Sequence, residues 1–286
     1  MLEGLSEFQA LARHTAVELL QEHAGDLLFI IDTQRQPDAM IQLYQLGEEL
    51  DLRHLYAETE LAEWVQEGPI WFSAPRDSKR ASLGMRLCHE RQAGIVICTS
   101  DEQAALAHAR WLLRVRDGSG GESLVAYHLP AIWNALVRTA PERALLFGPW
   151  EKVFSPAPYS PESSEQWLVW TAPEALDGSW NHHASLELAE AASAYMRTLR
   201  WVYWIDEERA GFGIPTAEQL PRLIANLETL VEHCIYEGRH LLKLTQLVKG
   251  EPISERPEVM DILQRNEEAF LKVESLQALT ATTSPT

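Results

Sequence analysis

Long hydrophobic runs are missing from this chain of 286 residues. No apolar stretch reaches the roughly 18 to 20 residues of a membrane-spanning helix, so no membrane insertion is expected. The N-terminus carries Glu3 and Glu7 and no basic start ahead of an apolar run, so no signal peptide is expected. Cysteine is scarce. Cys88, Cys98 and Cys234 are odd in number and have no metal-like spacing, which points to a reducing cytoplasm. The fingerprints of common chemistry are absent too. There is no Gly-x-Gly-x-x-Gly, no phosphate-cradling loop ending in Lys-Ser or Lys-Thr, and no Gly-x-Ser-x-Gly elbow. Positive charge is thin, with 24 Lys and Arg against 42 Asp and Glu, a net charge of −18. The acidity is spread over both halves, −8 through Phe154 and −10 from Ser155 onward. Nucleic-acid phosphates and anionic lipid would be repelled by such a surface. The acidity either maintains solubility or suits a basic protein partner.

What is present is an ordinary apolar content of 46% and an abundance of Trp, 10 residues in all. Trp serves both cores and interfaces, so most are expected inside and a minority on a partner face. Leu27–Ile31 and Gly94–Cys98 are short, continuous apolar runs and read as strands buried on both faces. Ile70–Ser73, Phe147–Phe154 and Gln166–Thr171 read as further strands, with a short one at Arg53–Tyr56. Asp117–Gly121 is a turn between two extended segments, Leu112–Arg116 and Ser123–Tyr127. Helices are expected over Ser6–Glu22, from Pro37, over Glu58–Glu67 with Leu61, Trp64 and Val65 on one side, and over Ser78–Arg91. Another follows Ser100 as N-cap with Gln103 completing a capping box, and others open at Pro130 and Pro141.

Beyond Pro173 the pattern turns helical: Ser185–Glu208, Thr216–Glu237, Arg239–Val248 and Pro257 to about Leu279. Leu223, Leu227, Leu230 and Cys234 form a narrow apolar stripe on the second of these. The expectation is an α/β (α+β) lobe with a mixed sheet over residues 1–175 and an all-helical lobe over 176–286. The joint is expected near Asp177-Gly178-Ser179.

Few residues suggest chemistry. His182-His183 is the most metal-like pair, but adjacent rings do not turn easily to one ion, and no metal or cofactor is expected. Asp32 ends the first buried strand, where ligands gather in open α/β sheets, with His54, His89 or His128 as a possible base. The alternative for Asp32 is a cap or turn carboxylate. Cys98 reads as a small core hydrophobe, and Cys88 and His89 diverge around a helix and form no dyad.

The most telling feature is the order of several plain motifs: Leu27–Asp32, Leu55–Thr59, Glu67-Gly68-Pro69-Ile70-Trp71-Phe72, Gly94–Ser100, Tyr127–Pro130 and Phe147-Gly148-Pro149-Trp150. From Leu27 to Phe154 this order resembles the effector-chaperone (adaptor) family of bacterial type VI secretion, the Tap/TEC-type adaptors catalogued as a domain of unknown function. Gly68, Pro69 and Trp71 look like the family's turn before an apolar strand, and Phe147, Gly148 and Pro149 like the start of its closing strand. The family's Asp-Pro pair is Leu129-Pro130 here.

The resemblance implies a non-enzymatic cytoplasmic adaptor. Such a protein binds one cognate secreted toxic effector and helps load it onto the spike protein, with no nucleic acid and no membrane as partner. The helical lobe is then the candidate effector-binding region. Trp201, Tyr203 and Trp204 there, with Trp71 and Trp150, are the candidate partner-binding side chains. Two other functions compete: an immunity-type protein that neutralises a toxin, and an unrecognised small-molecule enzyme using Asp32.

Overall fold

A computed structural model describes residues 4–22, 25–118, 120–161, 164–173 and 185–283. The elements run α1 (Leu5–Gln9), β1 (His14–Thr15), α2 (Ala16–Glu22), β2 (Leu27–Ile31), α3 (Ala39–Tyr44), β3 (Leu52–His54), β4 (Ile70–Ala74), α4 (Lys79–Glu90) and β5 (Gly94–Cys98). There follow α5 (Glu102–Trp111), β6 (Arg114–Arg116), β7 (Glu122–Leu124), α6 (Pro130–Thr139), α7 (Arg143–Phe147), β8 (Lys152–Pro156), β9 (Gln166–Thr171) and β10 (Leu186–Glu187). The remainder is helical: α8 (Ala192–Glu207), α9 (Arg209–Phe212), α10 (Gln219–Glu232), α11 (Gly238–Lys243), α12 (Thr245–Lys249), α13 (Pro257–Leu263) and α14 (Ala269–Thr283). Backbone contacts divide the chain into two compact units, one over residues 10–203 and one over residues 4–9 with 204–283. The anticipated joint at 177–179 lies outside the described residues.

The first unit is α/β. Seven strands in the order β1-β9-β8-β5-β2-β4-β3 pair antiparallel throughout, and a small mixed sheet sets β6 parallel to β10 and antiparallel to β7. Every residue of β2 and β5 is buried. Leu27, Phe29 and Ile31 turn to one face with Ala81, Met85 and Cys88 of α4, and Phe29 stacks on Phe72 at 4.9 Å. On the unit's other helices, Trp133 of α6 meets Phe147 and Trp150, and Trp150 donates to the Ala105 carbonyl of α5. Burial on both faces explains why these strands read as unbroken apolar runs even though the sheet is antiparallel.

A buried polar network ties α8 to this sheet. Asn134 Nδ2 donates to the Tyr203 hydroxyl, which donates to the Pro156 carbonyl. The Asn134 side-chain oxygen accepts from Ser155 and from the Trp170 indole. The Asn134 amide, the Tyr203 and Ser155 hydroxyls and the Trp170 indole all have partners, as buried polar groups require.

Several boundaries differ from the expected ones for local reasons. The helix expected over Ser6–Glu22 is two helices, because Thr15 and Glu18 form a reciprocal capping box that restarts the chain at α2. Ser100 does not cap α5; the Asp101 carboxylate does, accepting from Ala104 N at 2.9 Å. Phe147 ends α7 instead of opening a strand, and Gly148 closes that helix at φ 51°, a conformation that costs glycine little. Ser185 begins no helix, since Leu186–Glu187 pairs with β6 before α8 starts.

The second unit is all-helical in its described residues. Leu223, Leu227 and Leu230 line the buried face of α10, but Cys234 lies past the helix end at φ 69° and is exposed. Buried Asn226 fastens the 248–253 turn by donating to Val248 and Glu251 carbonyls and accepting from Ile253 N. Buried Lys272 donates to the carbonyls of His233 and Leu263, at the C-terminal ends of α10 and α13, where a cation is favoured.

Candidate functional site

Asp32 leaves the end of β2 and is held from three sides. Its Oδ1 accepts from the backbone N–H of Gln34 at 2.7 Å and of Arg35 at 3.1 Å, and its Oδ2 lies 3.3 Å from His128 Nε2. His128 arrives from the turn before α6, where Pro130 occupies the first helical turn. Burial alone would raise the Asp32 carboxyl, but the His128 contact and the two backbone amides outweigh it and hold it below the usual carboxylate range. A carboxylate only accepts, so Nε2 carries the proton toward Asp32. The other ring nitrogen, Nδ1, is buried and has no hydrogen-bond partner among the described residues. With Nε2 on Asp32 and Nδ1 closed off from solvent, the pair fastens the turn before α6 to the end of β2. The structure thus joins Asp32 to His128 among the three histidines considered. His89 instead lies 3.3 Å from the Ser160 hydroxyl, and His54 sits on edge strand β3.

The Asp32 corner anchors the segment 55–69. Thr33 donates its hydroxyl to the Gly68 carbonyl, and Leu55 N donates to the Pro69 carbonyl. The Tyr56 ring lies flat on Gly68, where a β-carbon would come within 2.5 Å of it, so only glycine fits. Burial, reinforced by the Asp32 charge, raises the Tyr56 phenol, which stays protonated. Gly68 and Pro69 are therefore the seat of a ring and of an anchoring hydrogen bond. Pro149 plays a similar part at the other motif, its carbonyl accepting from Thr99 at 2.8 Å.

From this anchored base the segment projects outward without forming the helix expected over Glu58–Glu67. Glu58 sits at φ 61°, and the Thr59 hydroxyl donates to the Tyr56 carbonyl and accepts from Leu61 N, which diverts the backbone from helical pairing. One 3₁₀ turn, Ala62–Trp64, remains. Beside it lies a cleft of about 440 Å³. Its floor includes Trp111 and Leu113, and its rim is charged: Glu58 pairs with Arg110, Glu60 with Arg114, and Glu122 with Arg114 at 3.4 Å. The two arginines are thereby neutralised, and the outer surface of the segment stays acidic.

The aromatic side chains expected at a partner face are buried or half-buried. Trp71 and Trp150 are fully buried in the first unit's core and present no surface to a partner. Tyr203 is buried in the Asn134 network. Trp201 is half-buried, and so is Trp204, whose ring packs edge-on against Phe212 at 5.4 Å. Trp180, His182 and His183 lie outside the described residues. The tryptophan that stands out is Trp64, 51% exposed and placed by sequence on the apolar side of a helix that does not form. The signal that marks it is four glutamates with no lysine or arginine in the eleven residues 57–67. Among the described residues no group of three or more His, Cys, Asp or Glu is arranged to hold a metal ion, and no helix is long and apolar enough to cross a membrane.

Residues 28–145 match the family model described as "Domain of unknown function (DUF4123)". The match takes in the Asp32 corner, segment 55–69 and the cleft residues from Glu58 to Glu122. No curated protein and no solved structure matches the chain.

Proposed function

We propose that this chain is a non-enzymatic chaperone and adaptor of type VI secretion. In the cytoplasm of the producing cell it binds one toxic effector and assists its loading onto the spike protein. The observation that carries the reading is the domain match over residues 28–145, because it falls on most of the ordered motifs that resemble the adaptor family, all but the closing Phe147-Gly148-Pro149-Trp150. The acidic surface supports it, since a net charge of −18 steers basic protein partners and repels nucleic acid. The Asp32 geometry supports it too: the carboxylate most open to a catalytic reading is committed to His128 and two backbone amides.

The test is recovery of the tagged full chain from the producing cell's cytoplasm, with partners identified by mass spectrometry. One dominant large protein at near-equal stoichiometry is the expected result. A chain recovered without any stoichiometric protein contradicts the proposal.

A further inference from the structure

The geometry points to the acidic segment Glu58–Glu67, with Trp64 as its anchor, as the docking surface for a basic protein segment that carries an apolar side chain. This rests on the chaperone reading only in taking that segment to belong to the client.

Three independent features meet here. First, Trp64 is the one tryptophan among the described residues whose ring is largely open to solvent. Its backbone is nonetheless fixed: Trp64 N donates to the Leu61 carbonyl, and the Trp64 carbonyl accepts from the N–H groups of Glu67 and Gly68. A large aromatic on a fixed backbone loses little entropy on binding, which is why Trp dominates interface hot spots. Second, Glu58, Glu60, Glu63 and Glu67 flank Trp64 in sequence and are all exposed, and the Glu63 carboxylate accepts from the Trp64 indole at 3.2 Å. Only Glu58 and Glu60 have arginine partners; no arginine or lysine pairs with Glu63 or Glu67 among the described contacts. A lysine or arginine beside the ring would gain from both carboxylates and from the aromatic face. Third, the cleft of about 440 Å³ opens at the base of the same segment, with half-buried Leu61 at its edge, and has room for an apolar side chain.

The segment is also firmly mounted. Asp32 with His128, Thr33 on the Gly68 carbonyl, and the Tyr56 ring on Gly68 hold both of its ends. Carboxylates and an indole on a mounted surface recognise by charge and shape without having to order a loop on binding. An acidic or wholly polar partner segment would meet repulsion at Glu63 and Glu67 and leave the indole uncovered.

Two measurements test this, one of them needing no client. In the full chain labelled with 5-fluorotryptophan, the Trp64 resonance is identified by its loss in Trp64→Phe. A synthetic peptide of alternating Lys and Leu should shift that resonance more than any other, saturably, and the shift should shrink severalfold in about 0.5 M salt. The same peptide with Glu in place of Lys should leave it in place. A Trp64 resonance that stays still, or that moves equally with both peptides, overturns the surface.

In pull-downs from producing cells, Trp64→Ala and the double variant Glu63→Lys, Glu67→Lys should each recover about tenfold less client than the parent chain, with unchanged thermal midpoints. Trp204→Ala should recover it in full. Full recovery by the Trp64 and charge-reversed variants overturns the surface and leaves the chaperone reading standing. A parent chain that captures no client, while its Trp64 resonance still responds to the basic peptide, removes the chaperone reading and leaves the surface.

Discussion

Asp32 brings three donors onto one short carboxylate: the N–H groups of Gln34 and Arg35 and the Nε2 of His128. Truncating it strands those donors in a largely buried corner, so Asp32→Ala should lower stability by about 2 kcal/mol in urea unfolding near neutral pH. The pH dependence has a definite sign. The folded-state pKa lies below the unfolded one, so the stabilisation is present above the unfolded value and is lost as pH falls through the lowered folded value. Asp32→Asn should therefore flatten the acid limb of the stability curve; an acid limb identical to the parent's would contradict this. Both partners were visible in the sequence as candidates, yet their meeting was not. They are 96 positions apart, and nothing in local pattern states which of His54, His89 and His128 a fold will bring to Asp32. Trp64 was illegible for a related reason. Its exposure follows from Glu58 at positive φ and the Thr59 hydroxyl diverting the backbone, neither of which is a periodicity signal.

At the level of elements, the strands most legible in sequence were those whose burial is total. Leu27–Ile31 and Gly94–Cys98 were read to the residue, because an apolar run closed by turn residues has one register that buries it. Helix ends were less legible, since a cap depends on which of several neighbouring acceptors wins: Thr15 with Glu18 splits the N-terminal segment, and Asp101 displaces Ser100. α8 shows how tertiary context overrides composition. Trp201, Tyr203 and Trp204 suggested a surface for a partner, but the Tyr203 hydroxyl is taken up by Asn134 and Pro156. Asn134→Leu should cost about 2 to 3 kcal/mol, because the Trp170 indole and the Ser155 hydroxyl lose their acceptor. Tyr203→Phe should cost about 1 kcal/mol and leave client recovery intact. If Tyr203→Phe unfolds like the parent but loses the client, the residue belongs to an interface and not to the network.

Across the whole molecule, two compact units share the acidity, and the domain match covers part of the first, from residue 28 to residue 145. The order of motifs made that region recognisable because its motifs have a structural reason to be where they are: Gly68 under the Tyr56 ring and Pro130 in the first turn of α6, with Gly148 closing α7 just beyond it. These residues fix the scaffold; under the proposed chaperone reading the choice of client would reside in surface detail, which motif order does not encode. An acidic binder of a toxin could serve export or protection equally well by charge alone. The measurement that separates them most directly is the effector content of the culture medium with the gene for this chain deleted and then restored. Loss of the effector from the medium on deletion, recovery on restoration, and no protection of cells that express the toxin alone with this chain are the expected results. Unchanged export, or rescue of those poisoned cells, would contradict the proposal.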